Sequence, residues 1–381
     1  MTGSFQNAGS FSGSSFTYYD IHFLAASGTA TINGPSTFHD MTFTCGGFIQ
    51  NAVTIHNILM SSGGTITGNT TINDVTAVGA ATITGNNNIH DVTTTDACSI
   101  SGHNVFHNVS IGGDGDIAVT NTFNDLTFSA GHKYELFPSS NTTVNGNWSL
   151  NGTCNGYIDI HCKTAGFFAT VTHPTGAVTG TYLLLKDITA TGGSGFTANS
   201  SIDLGNNTGW TINSSTARNL YWVNNSGDWS DGNHWALTSG GAPTSCPPPT
   251  PVDNVFFDAN SFSSGNQTVN VTAQVIFCKN MTWTGVTNTP KFLTSDTAIL
   301  LKIYGSLTFV SGMTVSFGGS FDFEAKTPGQ TVTMAGKNIG NRVRFNGIGG
   351  GWTFQDAFSC TSRWELNAGT LNTNNQTVNS G

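Results

Sequence analysis

The chain has 381 residues, of which 9% are charged and 37% hydrophobic, with 47 glycines and a formal net charge of −9; ordinary globular domains carry about 25% charged residues. It has no Lys/Arg run, so it lacks the clustered cations that nucleic-acid backbones demand, and no apolar run reaches the length of a membrane span. Its polar surface is built from neutral Asn, Thr and Ser, and the placement of its hydrophobic residues at fixed intervals argues against disorder.

The N-terminus, Met1-Thr2-Gly3-Ser4-Phe5, has neither a basic nor an apolar segment, so no signal peptide is visible. The expectation is a piece of something longer, or a protein exported by another route. From Tyr18 to Phe128 the chain repeats. Asp40, Asn57, Asp74, Asp91, Asn108 and Asp125 stand 17 residues apart, and eight positions before each comes Ile32, Ile49, Ile66, Ile83, Ile100 or Ile117. Two positions before the Asp/Asn column lie Phe38, Ile55, Ile72, Ile89, Phe106 and Phe123, and one after it Met41, Ile58, Val75, Val92, Val109 and Leu126. An earlier row, Tyr18-Tyr19-Asp20-Ile21, precedes Asp40 by 20 residues and implies one longer turn.

A period this short is a solenoid signature, in which each row is one coil and like stacks on like. Helical repeats need roughly 30 residues or more. Isoleucine, valine, phenylalanine and threonine favour strands, and the Gly/Asn/Ser/Asp clusters between them favour turns. The predicted fold is all-β: a parallel β-solenoid (β-helix) whose 17-residue coils enclose a narrow apolar core over residues 1–131. Strands spaced about 4.8 Å apart make six rows roughly 30 Å long.

Over 132–215 the register is lost while strand-like runs persist, as in Ile158-Asp159-Ile160 and Leu183-Leu184-Leu185, predicting wider coils or a β-cap. An aromatic and proline-rich junction follows at 218–290. Apolar alternation resumes over 291–381, in Leu307/Phe309, Phe321/Phe323 and Val343/Phe345, predicting a second, less regular solenoid. Seven cysteines show no zinc spacing. Cys154 with Cys162, and Cys246 with Cys278, are candidate disulfides in an oxidising compartment, and buried thiols are the alternative.

Asp203-Leu204-Gly205-Asn206-Asn207-Thr208-Gly209-Trp210, then Tyr221-Trp222-Val223, Gly227-Asp228-Trp229-Ser230-Asp231 and Asn233-His234-Trp235, carry a resemblance. With Val255-Phe256-Phe257-Asp258 and Trp352-Thr353-Phe354, this stretch resembles junctions in very large repetitive surface proteins of the Bacteroidetes. The resemblance covers roughly residues 180–381 and implies an exported adhesin or filament, often using a type IX route. No catalytic residues carry over, and since this stretch holds no recognisable C-terminal sorting domain the expectation is a fragment of a longer rod. The repeats also resemble parts of phage fibre proteins.

Several constellations bear on chemistry. The column of Asp20, Asp40, Asp74, Asp91 and Asp125 resembles a row of glycosidase carboxylates on a pectin-lyase-like β-helix, but it admits Asn57 and Asn108 and reads as a corner. His39, His56, His90 and His107 form the preceding column with Asn73 and Asn124. Adjacent pairs, about one strand spacing apart, could share a metal or sense acid, but the sequence offers no consistent third ligand, so an outward polar ladder is expected. Thr65-Ile66-Thr67, Thr82-Ile83-Thr84 and Ser99-Ile100-Ser101 resemble the hydroxyl arrays of ice-binding solenoids, interrupted by Phe48/Gln50 and Asp116/Ala118. Tyr221, Trp222, Trp229 and Trp235 are candidate glycan contacts or a small aromatic core. Gly112-Gly113-Asp114-Gly115-Asp116 is a single imperfect calcium-turn match.

No catalytic, cofactor-binding or metal residue is therefore assigned from sequence. The expected function is a non-catalytic structural or adhesive segment of an extracellular or cell-surface rod. Its expected partners are surface glycans or further copies of itself joined end to end, because neither Met1 to Phe16 nor Asn372 to Gly381 reads as a cap. A glycan-binding or glycan-active β-helix and a phage fibre or other virion surface component are the alternatives, and ice binding is not expected.

Overall fold

The computed structural model describes residues 3–12, 16–193, 195–246 and 248–381. Within the expected N-terminal end, Met1, Thr2 and 13–15 thus lie outside the described residues. The described chain is all-β, its only helical turn being the 3₁₀ segment Gly232–His234. It forms two compact units, Met1–Ser215 and Thr216–Gly381.

The first unit is a parallel β-solenoid. A first face stacks Thr17–Phe23, Thr37–Phe43, Thr54–Met60, Thr71–Ala77, Asn88–Thr94, Val105–Ile111 and Asn121–Phe128. A second face stacks Thr29–Asn33, Gly46–Gln50, Gly64–Gly68, Ala81–Gly85, Cys98–Ile100 and Gly115–Ile117. Among the described residues of these two faces the coil-to-coil pairings are parallel and in register: Ile32, Ile49, Ile66, Ile83, Ile100 and Ile117 each oppose the next. All six are at most 1% exposed. The longer opening turn is present too, with Asp20 opposite Asp40.

Two ladders fix the corner between the faces. Gly34, Asn51, Gly68, Gly85, Gly102 and Val119 all have positive φ. A Cβ on Gly102 would meet the Gly85 carbonyl oxygen at 2.0 Å, which is why glycine recurs there. Two residues on, Thr70, Asn87, Asn104 and Asn121 are buried. Each asparagine Oδ1 accepts the N–H of the residue one coil earlier, at 3.1–3.2 Å, while its Nδ2 donates to the carbonyl three residues back, at 2.8 Å. Parallel strands leave corner amides without ladder partners, and this asparagine stack supplies them.

After Phe128 the coils widen. Asn121–Phe128 pairs with both Asn141–Val144 and Trp148–Asn151, so the first face splits into two. The wider interior takes larger side chains: Tyr134 stacks on Phe128 at 3.7 Å, and Trp148 is 4% exposed. Gly115 makes the room, since a Cβ there would meet the Tyr134 ring at 2.6 Å.

The second unit is also a parallel solenoid, and its ladder starts before the sequence alternation does. Asn219–Trp222 opposes Asn254–Phe256, which opposes Met281–Thr282, and the ladder runs on through Leu307–Thr308 to Gln330–Thr333, so its first three strands precede Lys291. The aromatic and proline-rich stretch is therefore part of the solenoid. Its coils are long, with Asn254 and Asn280 hydrogen-bonded across 26 residues, so no short period shows in the sequence. The core is aromatic: Trp222, Trp229, Trp235, Trp283 and Trp352 are each at most 1% exposed. Asp253, fully buried, is held by Arg218 at 2.6 and 3.0 Å and by Thr250 at 2.7 Å, pairing that burial of a charge requires.

Neither expected disulfide pair forms, because Cys162 and Cys278 are free, buried thiols, as are Cys45, Cys98 and Cys360. Burial pushes the Cys98 thiol up to about 12. These thiols act as small apolar residues.

Candidate functional site

The first face carries the most chemically specific surface. Within each of its strands the burial alternation breaks once. In Thr37–Phe43, Phe38, Met41 and Phe43 point inward, whereas His39 and Asp40 are successive residues not directed to the core. Backbone pairing passes from Phe38/Ile55 to Asp40/Asn57 and skips the histidine. The Asp/Asn column expected at a corner thus stands within a strand, where a local irregularity turns two neighbouring side chains to the same side.

This brings the histidine and aspartate columns together, correcting the expectation that the histidines find no third ligand. His39 Nδ1 lies 3.2 Å from Asp40 Oδ2. Asp91 Oδ1 lies 3.0 Å from His90 Nδ1 and 3.5 Å from His107 Nδ1. In His39/Asp40/His56 and in His90/Asp91/His107, one ligating atom per residue falls within 4.8 Å of the other two. The imidazoles stack from coil to coil, His39 on His56 at 4.9 Å and His90 on His107 at 4.2 Å, and Tyr19 caps the first pair at 4.8 Å. Asn57 Nδ2 donates to Asp40 Oδ1 at 2.8 Å, fixing that carboxylate. A groove of about 490 Å³ runs over the column, lined by Tyr19, His39, His56, Asn73, His90 and His107 among others.

The other sequence candidates are placed as follows. Trp222, Trp229 and Trp235 are core residues that offer no face to a sugar, which corrects their assignment as glycan contacts. Trp235 Nε1 donates to the Trp229 carbonyl and Trp222 Nε1 to the Asn225 carbonyl, both at 2.7 Å. Tyr221 is half-buried and stacks on Phe256 at 4.8 Å. The hydroxyls beside the isoleucine ladder stand in register over three coils, Thr65, Thr82 and Ser99.

The aspartates of the calcium-like turn are engaged by later coils, Asp114 by a backbone amide and Asp116 by an ammonium. Asp114 Oδ1 accepts the Lys133 N–H at 3.0 Å and Asp116 pairs with Lys163 at 2.7 Å. Lys163 and Lys133 also reach Glu135, each at 3.1 Å. The His161 hydrogen bond, followed by those from Lys163 and Lys133, holds the Glu135 carboxyl well below the usual carboxylate range despite its burial.

The sequence reading missed two features. The buried asparagine ladder was visible as a column of Thr70, Asn87, Asn104 and Asn121. The second is a longer period in the paired columns: the rows read His-Asp, His-Asn, Asn-Asp and then His-Asp, His-Asn, Asn-Asp again, from His39-Asp40 to Asn124-Asp125. No family model matches the chain, and no match was found among curated proteins or solved structures.

Proposed function

We propose that this chain is a structural or adhesive segment of a long extracellular surface rod and performs no catalysis. The observation that carries this reading is the in-register stacking of like residues from coil to coil, in the isoleucine, asparagine and His/Asp columns alike. A solenoid of this kind lengthens by adding coils, each covering the strand edges of the one before, and so presents the same surface repeatedly along its length. The column takes Asn57 and Asn108 in place of aspartate, whereas glycoside hydrolysis relies on a pair of carboxyls held in contrasting surroundings.

Its partners on this reading are surface glycans or further copies of the chain, with neither nucleic acid nor membrane insertion. Among the described residues no helix is long and apolar enough to cross a membrane. Glycan binding is the favoured adhesive mode because the groove on the first face begins at Tyr19, which is 61% exposed, and aromatic faces pack on sugar rings. A glycan array, followed by incubation of the bound polysaccharides with the protein, tests the proposal. Binding without new reducing ends is expected, together with antibody labelling of intact source cells. Turnover of any polysaccharide, or antigen confined to the cell interior, would overturn it.

A further inference from the structure

We infer that the first face holds two equivalent sites for a divalent transition-metal ion, one formed by His39, Asp40 and His56 and the other by His90, Asp91 and His107. Three observations converge on this. The first is the ligand geometry. Zinc bonds of about 2.0–2.1 Å in a tetrahedron set ligand atoms roughly 3.3 Å apart. Asp91 Oδ1 lies 3.0 and 3.5 Å from the two Nδ1 atoms beside it, and Asp40 Oδ2 lies 3.2 Å from His39 Nδ1.

The second observation is that Asp91 Oδ1, an atom screened from solvent in a side chain 40% exposed, has no hydrogen-bond partner despite its closeness to both nitrogens. A buried, unsatisfied carboxylate oxygen is costly, and a shared cation would satisfy it. In the first site the other carboxylate oxygen is already fixed by Asn57, the outer support that orients ligands in metal centres.

The third is recurrence. The second triad stands three coils from the first, about 14 Å along the axis, and reproduces it residue for residue as His-Asp followed by His-Asn. The one coil between the pairs carries Asn73-Asp74, with no imidazole, so the sites stay separate. A merely solvated ladder needs polar residues but not this order.

Two imidazoles and one carboxylate suit zinc, and also nickel, cobalt or copper, better than calcium or magnesium, which take oxygen ligands. The paired rings lie within 11–16° of parallel, so their lone pairs converge only after the rings turn. His90 and His107 side chains are 51% and 49% exposed, which leaves them free to do so. Three protein ligands leave a fourth position open, directed to the groove, where a ligand from a partner molecule can enter.

The test is zinc titration of the untagged full chain by calorimetry, with visible spectra of the cobalt-loaded protein as a second readout. Wild type is expected to bind two equivalents and to show the intense bands of tetrahedral cobalt. His56→Gln and His107→Gln should each remove one equivalent, and the double variant both, with circular dichroism and thermal melting unchanged because the side chains are exposed. No binding by wild type, or undiminished stoichiometry in the double variant, would overturn the inference. The Asp91→Asn variant gives an independent arm: loss of one equivalent supports the triad, and full retention refutes the role of the carboxylate.

Discussion

The narrow coils of the first unit and the wide coils of the second solve one packing problem with different side chains. A 17-residue coil leaves an interior one side chain deep, and Ile83 and its counterparts fill it in register. Where a coil approaches 26 residues, the gap admits indoles beside the phenyl rings that the narrow coils also bury, and Trp283 stacks on Phe257 at 3.8 Å. The change begins inside the first unit, at the split of the first face, where Tyr134 and Trp148 enter the core. Coil circumference therefore selects core residue size, because interiors are packed to near-crystalline density. Repetition follows from the same cause: the narrow core repeats isoleucine in one column and phenylalanine or isoleucine in another, whereas the wide one is filled by interlocking indole and phenyl rings.

The largest expected effect comes from breaking the narrow core. Ile83→Asp places an unpaired charge among buried aliphatic neighbours and should cost several kcal/mol, abolishing cooperative melting of the first unit. Asn88→Ser, at an exposed strand start, should change stability by less than about 0.5 kcal/mol. Equal melting of the two variants by circular dichroism would refute the inward ladder. In the wide core, Trp283→Ala should cost about 3–5 kcal/mol. Hydrogen exchange should show the loss concentrated in the second unit, and protection lost evenly over both units would contradict the division of the core.

A smaller loss is expected from the corner. Asn104→Ala removes the acceptor for the Asn87 N–H and Nδ2, and each orphaned buried group costs about 1–3 kcal/mol. Chemical denaturation should register that loss, and a neutral result would show that water replaces the amide. The smallest effect should be a gain. Val119, with φ 65°, occupies the column otherwise filled by Gly34, Asn51, Gly68, Gly85 and Gly102. The left-handed region costs a β-branched residue about 1–2 kcal/mol, partly offset by the backbone entropy of glycine. Val119→Gly should raise the melting temperature slightly, and a decrease would show that the valine packs productively.

By itself the sequence determined the solenoid. Its 17-residue columns of isoleucine and phenylalanine fixed the parallel stacking, the inward positions and even the longer opening coil, since each depends only on which residue recurs at which interval. The sequence also contained the His-Asp and His-Asn rows, but not their convergence. That was decided by the break in strand alternation, which turns two successive side chains to one side, and by contacts between residues that meet only once coils are stacked. The fate of Trp222, Trp229 and Trp235 was decided in the same way: an aromatic cluster reads alike as a sugar platform or as a core, and only the wide coil closing around these rings buried them. The early start of the second ladder was hidden for a related reason, because strands brought together by long, irregular coils leave no periodic trace in the chain.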